Sequence, residues 1–234
     1  MNRLFERAAL LVTDVQNDFC PGGTLGVENG DKIVESINRL TEFFEKIGRP
    51  IFYSKDWHPK VTRHFKEYNG SWPEHCVAGT QGAEFHPNLI IRKSGIIILK
   101  GESPDDNDYS PFKGRVWVHS DPNNVRFYVP FPLVAESLQL DTFFNCGLAT
   151  DWCDKAGSLD GRALRYAVHM VLDACRPVNL NIPNDPWRKE PKIHNICKTL
   201  ESQGIEVTDE NIALEEMRRA GVIFTTTDEV LSQS

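Results

Sequence analysis

Three residues that can act together on a carbonyl stand beyond strand-like apolar runs. Asp14 follows the run 8–13, Lys100 follows 94–99, and Cys153 opens a helix after 141–147. A cysteine in the first turn of a helix faces the positive end of the macrodipole, which lowers its pKa. A free thiol, with a pKa of about 8.5, is only a few per cent thiolate at neutral pH. A base to take its proton and a cation to favour the anion would make it a nucleophile. Taken singly, each residue also fits a structural role: Asp14 a turn or helix cap, Lys100 a solvated head, Cys153 a small core residue. Acid, cation and thiol at three tips of one sheet are the set that attack on an amide needs.

A second group of residues suits a metal. The run at 50–53 leads into Lys55-Asp56-Trp57-His58-Pro59, with His64 and His75 further on. Four of the seven histidines fall within 58–86, where an even spread would place about one. One carboxylate oxygen and two imidazoles suit zinc, iron or manganese, with positions left for water. Asp-x-His is a weak signal by itself and fits locally satisfied turn residues equally well.

The elements that must position these residues read as alternating strands and helices. The segments 8–13, 50–53, 94–99, 141–147, 168–172 and 222–225 read as six strands, and helical spacing predicts helices over 31–46, 155–167 and 211–220. Strands apolar on both faces call for a parallel sheet covered on both sides. The expectation is therefore an α/β fold, a single domain over 1–234, doubly wound on a mainly parallel six-stranded sheet with helices on both faces. In such a sheet ligands bind beyond the carboxyl ends of the strands. Two stretches lack periodicity: 54–93, crowded with His, Trp, Pro and Gly, and a Pro-rich insert at 177–208. A connection as long as the first is usually functional.

Composition excludes several classes. With 234 residues, 40% hydrophobic and 25% charged, the chain is neither disordered nor fibrous. Its net charge is −7 with both signs interspersed, so no nucleic acid partner is expected. No apolar run reaches the roughly 18 residues of a membrane span. Six cysteines without a CxxC pair, and no secretory leader pattern, predict a reduced, soluble, cytoplasmic protein. The terminal Ser-Gln-Ser is not a peroxisomal address.

Six motifs occur in order: Thr13-Asp14-Val15-Gln16-Asn17-Asp18-Phe19-Cys20-Pro21-Gly22-Gly23, Asp56-Trp57-His58-Pro59, Trp72-Pro73-Glu74-His75-Cys76-Val77-Ala78-Gly79-Thr80, Lys100-Gly101, Asp108-Tyr109-Ser110-Pro111-Phe112 and Gly147-Leu148-Ala149-Thr150-Asp151-Trp152-Cys153. Through them the sequence resembles the nicotinamidases (pyrazinamidase-like) of the isochorismatase-like cysteine hydrolase superfamily, over about 8–176 and again over 211–231. The resemblance implies a triad of Asp14, Lys100 and Cys153, and one divalent metal, zinc first and iron or manganese as alternatives, held by Asp56, His58 and His75. His64, Glu67 or waters would complete the metal shell. Phe19, Trp72, Tyr109 and Trp152 match substrate-binding positions. The Leu148–Ala149 peptide would be cis, and the N–H groups of Ala149 and Cys153 would form the oxyanion hole. The implied reaction is deamidation of nicotinamide, and of pyrazinamide, through a cysteine thioester, feeding NAD salvage. The linker 111–140 and the insert 177–208 depart from the family pattern. They leave the pocket entrance open, and with it the question of a homo-oligomer.

Three rival readings remain at this level. Another cysteine hydrolase of the superfamily would act on a carbamoyl or ureido amide, which has no ring nitrogen for a metal to hold. A non-thiol isochorismatase-type hydrolase would have no use for Cys153. A binding or scaffold protein would be indifferent to Cys153→Ala.

Overall fold

The protein is described by a computed structural model over residues 3–105, 108–120, 125–182 and 186–233. The strand β1 (Ala8–Thr13) is buried along its whole length. Its side chains alternate between layers: Leu10 and Val12 join one core cluster, Ala9 and Leu11 another. This two-sided burial is what its unbroken apolar run requires. On one side β1 pairs in parallel with β2 (Ile51–Asp56), which pairs with β3 (Ile96–Lys100). On the other it pairs with β6 (Thr142–Leu148), followed by β7 (Ala167–Arg176) and β8 (Ile223–Thr225), all parallel.

The sheet has eight strands rather than the six expected. β4 (Arg115–Ser120) and β5 (Val125–Pro130) extend it antiparallel beyond β3, giving the order β5-β4-β3-β2-β1-β6-β7-β8. They do not read as buried runs because they are covered on one side at most: Val116 is buried, while Phe127 and Tyr128 are exposed.

Helices cover both faces. α1 (Val34–Lys46) turns Val34, Ile37, Leu40 and Phe44 inward beside the short α6 (Thr227–Ser232), whose Thr226 and Glu229 form a capping box. On the other face α2 (Phe131–Ser137) packs Phe131 against Phe52, Phe112 and Phe143. Fully burying a side chain of this kind contributes roughly 1.5–3 kcal/mol. The two layers thereby fix β1 and β6, and with them the loops beyond their carboxyl ends. α3 (Cys153–Ala163) is shorter than predicted, ending before β7. The insert 177–208 is not wholly irregular. It contains α4 (Pro191–Ser202), which buries Ile193, Ile196 and Leu200 and packs on α5 (Asp209–Arg219). Pro191 occupies the first turn, where proline starts helices as readily as it breaks them elsewhere. No helix among the described residues is long and apolar enough to cross a membrane.

From β1 the chain builds the sheet outward through β2 and β3, then returns to build the other half from β6. The strand order reverses between β1 and β6, and the crevice at such a reversal is where open α/β sheets bind ligands.

Candidate active site

The residues singled out by type converge on that crevice. Asp14 follows β1 with φ at 48°, its N–H donating to the Ser54 carbonyl at 3.2 Å. Asp56 and Lys100 are the last residues of β2 and β3 and are paired in register. Cys153 begins α3, five residues beyond the end of β6. All four are buried.

The Lys100 ammonium joins them. Its Nζ lies 2.8 Å from Asp14 Oδ2, donates to Asp56 Oδ1, and approaches Cys153 Sγ at 3.5 Å. Asp14 Oδ1 accepts from the Ser54 hydroxyl at 2.6 Å. Burial pushes the Asp14 carboxyl above the usual carboxylate range, against the pull of Lys100. Burial likewise pushes the Cys153 thiol well above its ordinary value, again with Lys100 opposing. The resting thiol is therefore protonated and needs a base to become a nucleophile. Burial alone would discharge Lys100, but Asp14 and Asp56 hold its pKa far above normal and the ammonium persists. At Asp56 burial acts upward too, yet Lys100 and His58 outweigh it and keep this carboxylate ionised.

Beside Asp56 lie three imidazoles. His58 Nε2 is 3.6 Å and His75 Nε2 4.0 Å from Asp56 Oδ2. Each ring is oriented from behind: His58 Nδ1 donates to the Gly101 carbonyl at 2.9 Å, and His75 Nδ1 to the Pro73 carbonyl at 2.8 Å. A histidine whose Nδ1–H is engaged presents the Nε2 lone pair, the arrangement metal-binding histidines use. His58 Nε2 is buried without a hydrogen-bond partner among the described residues. Burial keeps His75 below its normal pKa, in the neutral, ligating form. Donor atoms of His58, His64 and His75 all lie within 4.8 Å of one another. Around one ion with bonds of about 2.0–2.2 Å, ligand atoms stand roughly 3–4 Å apart, so these residues fit a divalent metal. Gly101 guards this geometry: its φ is +68°, and a Cβ there would meet the His58 ring at 2.5 Å.

Above this floor is a cavity of about 330 Å³ whose lining includes His64, His75, Ala149 and Cys153. Its walls are aromatic: Trp72 and Trp152 meet edge to face at 4.7 Å, and Trp72 Nε1 donates to the Tyr109 hydroxyl at 2.9 Å. Phe19 lines the same cavity, 5.6 Å from the His75 ring. The Leu148–Ala149 peptide is cis.

A model of the isochorismatase domain matches residues 8–182. The chain belongs to the isochorismatase family. It is 35% identical over 194 residues to a nicotinamidase of Escherichia coli, covering 76% of this chain and 86% of that one. It is 31% identical to a nicotinamidase of Acinetobacter baylyi, covering 74% and 83%. Among solved structures, a pyrazinamidase of Pyrococcus horikoshii in complex with zinc superposes with a TM-score of 0.73 at 30% identity, covering 94% of this chain and 99% of that one.

Two residues that spacing alone did not single out support the site. Gln16 holds Asp56 by its backbone, Nε2 donating to the Asp56 carbonyl and Oε1 accepting from its N–H, both at 2.8 Å. Asp151 accepts from the N–H groups of Val178 and Asn179 at 2.9 and 2.8 Å, placing Val178 and Leu180 in the cavity wall. The start of the insert is thus part of the pocket. Of the two further candidates beside Asp56, His58 and His75, His64 is buried in the imidazole cluster, while Glu67 is exposed in the short turn Lys66–Tyr68.

Proposed function

We propose that this chain hydrolyses the carboxamide of nicotinamide to nicotinate and ammonia, a step in NAD salvage, and that pyrazinamide is a second substrate. The observation that carries the reading is the contact of Lys100 Nζ with both Asp14 and Cys153 Sγ at the base of an aromatic-walled cavity, beside buried imidazoles. Asp14 takes the Cys153 proton, and the sulfur attacks the carboxamide carbon. The resulting oxyanion is held by the N–H groups of Ala149 and Cys153, each worth roughly 3–4 kcal/mol. Asp14 returns the proton to the leaving nitrogen, ammonia departs, and a thioester remains on Cys153. Water then attacks the thioester with its proton passing to Asp14, and nicotinate leaves as Cys153 is reprotonated. A carboxyl raised above its usual range suits both duties, because it takes up a proton more readily than an ordinary carboxylate and can still return it. Lys100 stays charged and keeps Asp14 turned towards the thiol.

Asp56, His58, His75 and His64 would hold one divalent metal, zinc first among them with iron and manganese compatible with the same donors. When bound, it would offer the pyridine ring nitrogen a Lewis-acid contact. Phe19, Trp72, Tyr109 and Trp152 would sandwich the flat ring, each aromatic pair adding about 0.5–1.5 kcal/mol beyond burial. The six free cysteines fit a reducing, cytoplasmic compartment.

Ammonia release from nicotinamide tests this reading, with Cys153→Ala and a metal-depleted sample as controls. Turnover lost in both controls supports it. Turnover lost only in Cys153→Ala would keep the nucleophile and make the Asp56 group structural. No turnover by folded, metal-loaded protein would point to a carbamoyl amide instead.

A further inference from the structure

One buried acid close to the site has no part in the reaction above. Asp154 follows the nucleophile in the first turn of α3 and is fully buried. Neither of its oxygens has a hydrogen-bond partner at normal distance among the described residues. The polar groups facing it are the Thr13 hydroxyl at the tip of β1 and the Cys175 thiol on β7, with the Cys146 thiol of β6 beside them. The charged groups acting on it, Asp14 and Asp151, are both acids and oppose a further negative charge.

The placement is specific. Thr13 precedes the proposed base in the chain and Asp154 follows the proposed nucleophile, so the two meet behind the reacting groups. The positive end of α3 and the facing Thr13 hydroxyl and Cys175 thiol favour an anion at Asp154, but removing a carboxylate from water costs more. Burial accordingly pushes the Asp154 carboxyl up to about 7.

We propose that Asp154 is a positioning residue with two states, which makes the reactivity of Cys153 above neutrality lower than the thiol's own titration would give. Protonated, it leaves the positive end of α3 free to stabilise the thiolate and the oxyanion that develop at Cys153. Ionised, it places an anion in that same first turn, cancels part of the helix field and makes both charges harder to form. The effect on turnover rests on the deamidation reading, whereas the effect on the thiol does not.

The test compares wild type with Asp154→Asn, which keeps the shape and cannot ionise. The rate of Cys153 alkylation by iodoacetamide is followed by peptide mass spectrometry across the range ~pH 6 to ~pH 9. The two proteins should react alike at the acid end. Above neutrality the variant should react about tenfold faster, the equivalent of one unit in the thiol pKa. The wild-type profile should show an inflection near neutrality that the variant lacks, and kcat/KM for nicotinamide should follow the same pattern. Superimposable alkylation profiles would overturn the proposal. Should Asp154→Asn not fold, Asp154→Val removes the same ionisation, and an inflection that survives in it would be equally decisive. Wild type that alkylates as described but does not turn over nicotinamide would count against the deamidation reading and leave the role of Asp154 standing.

Discussion

On one side of the Lys100 ammonium, Asp14 accepts from Ser54 and lies against the Cys153 thiol; on the other, Asp56 faces His58 and His75. Both are aspartates, both are buried, and both touch the same Nζ. Their titration goes opposite ways. Asp14 has little beyond Lys100 to offset its burial and is raised. Asp56 has imidazoles as well and is held ionised. Identical side chains thus suit different work: the first moves a proton in the proposed mechanism, and the second is suited to hold a cation. What separates them is the neighbours that the ends of β2 and β3 place around each.

The largest effect should come from the thiol side. Cys153→Ala should lower kcat/KM for nicotinamide by about 10⁴-fold or more while metal content stays at one per chain, measured by steady-state kinetics and elemental analysis. Asp56→Ala should do the reverse in kind. It removes a proposed ligand and leaves Lys100 less compensated, so metal should be lost while Cys153 is still alkylated. Gln16→Ala strikes the support behind Asp56 and should weaken metal binding by about 10–100-fold in a chelator competition.

The smallest expected effect sharpens the contrast on the Asp14 side. The Ser54 hydroxyl bonds the ionised form of Asp14 and so lowers its pKa. Without it the Asp14 pKa rises. In the proposed mechanism the free enzyme needs Asp14 ionised, so activity is lost as pH falls through that value. Ser54→Ala should therefore move the acid limb of the kcat/KM profile upward, by about half a unit to one unit. An unmoved limb would mean that Asp14 is not the group titrating there.

The two halves were not equally legible in the sequence. Asp14 and Lys100 follow mainly apolar runs and Cys153 opens the helix after another strand, and the rule for open α/β sheets directs attention to strand tips. His64 and Glu67 lie three residues apart and spacing does not choose between them. The choice comes from folding back: the His64 carbonyl accepts from the Trp72 N–H, which puts its ring in the imidazole cluster and leaves Glu67 outside. β4 and β5 were missed because an edge hairpin covered on one side carries no continuous apolar run. α4 is hard to read because it starts at Pro191 in a Pro-rich stretch and buries only Ile193, Ile196 and Leu200. The wall formed by Val178 and Leu180 depends on Asp151, 27 residues earlier in the chain, and no local pattern records such a bond.

The most direct test of the central claim is an acid-quenched turnover with nicotinamide, digested and analysed by mass spectrometry for the peptide that carries Cys153. The account predicts a nicotinoyl thioester on Cys153 that appears before the steady state and disappears once substrate is exhausted. Full turnover with no acyl group on Cys153, or turnover retained by Cys153→Ala, would contradict it.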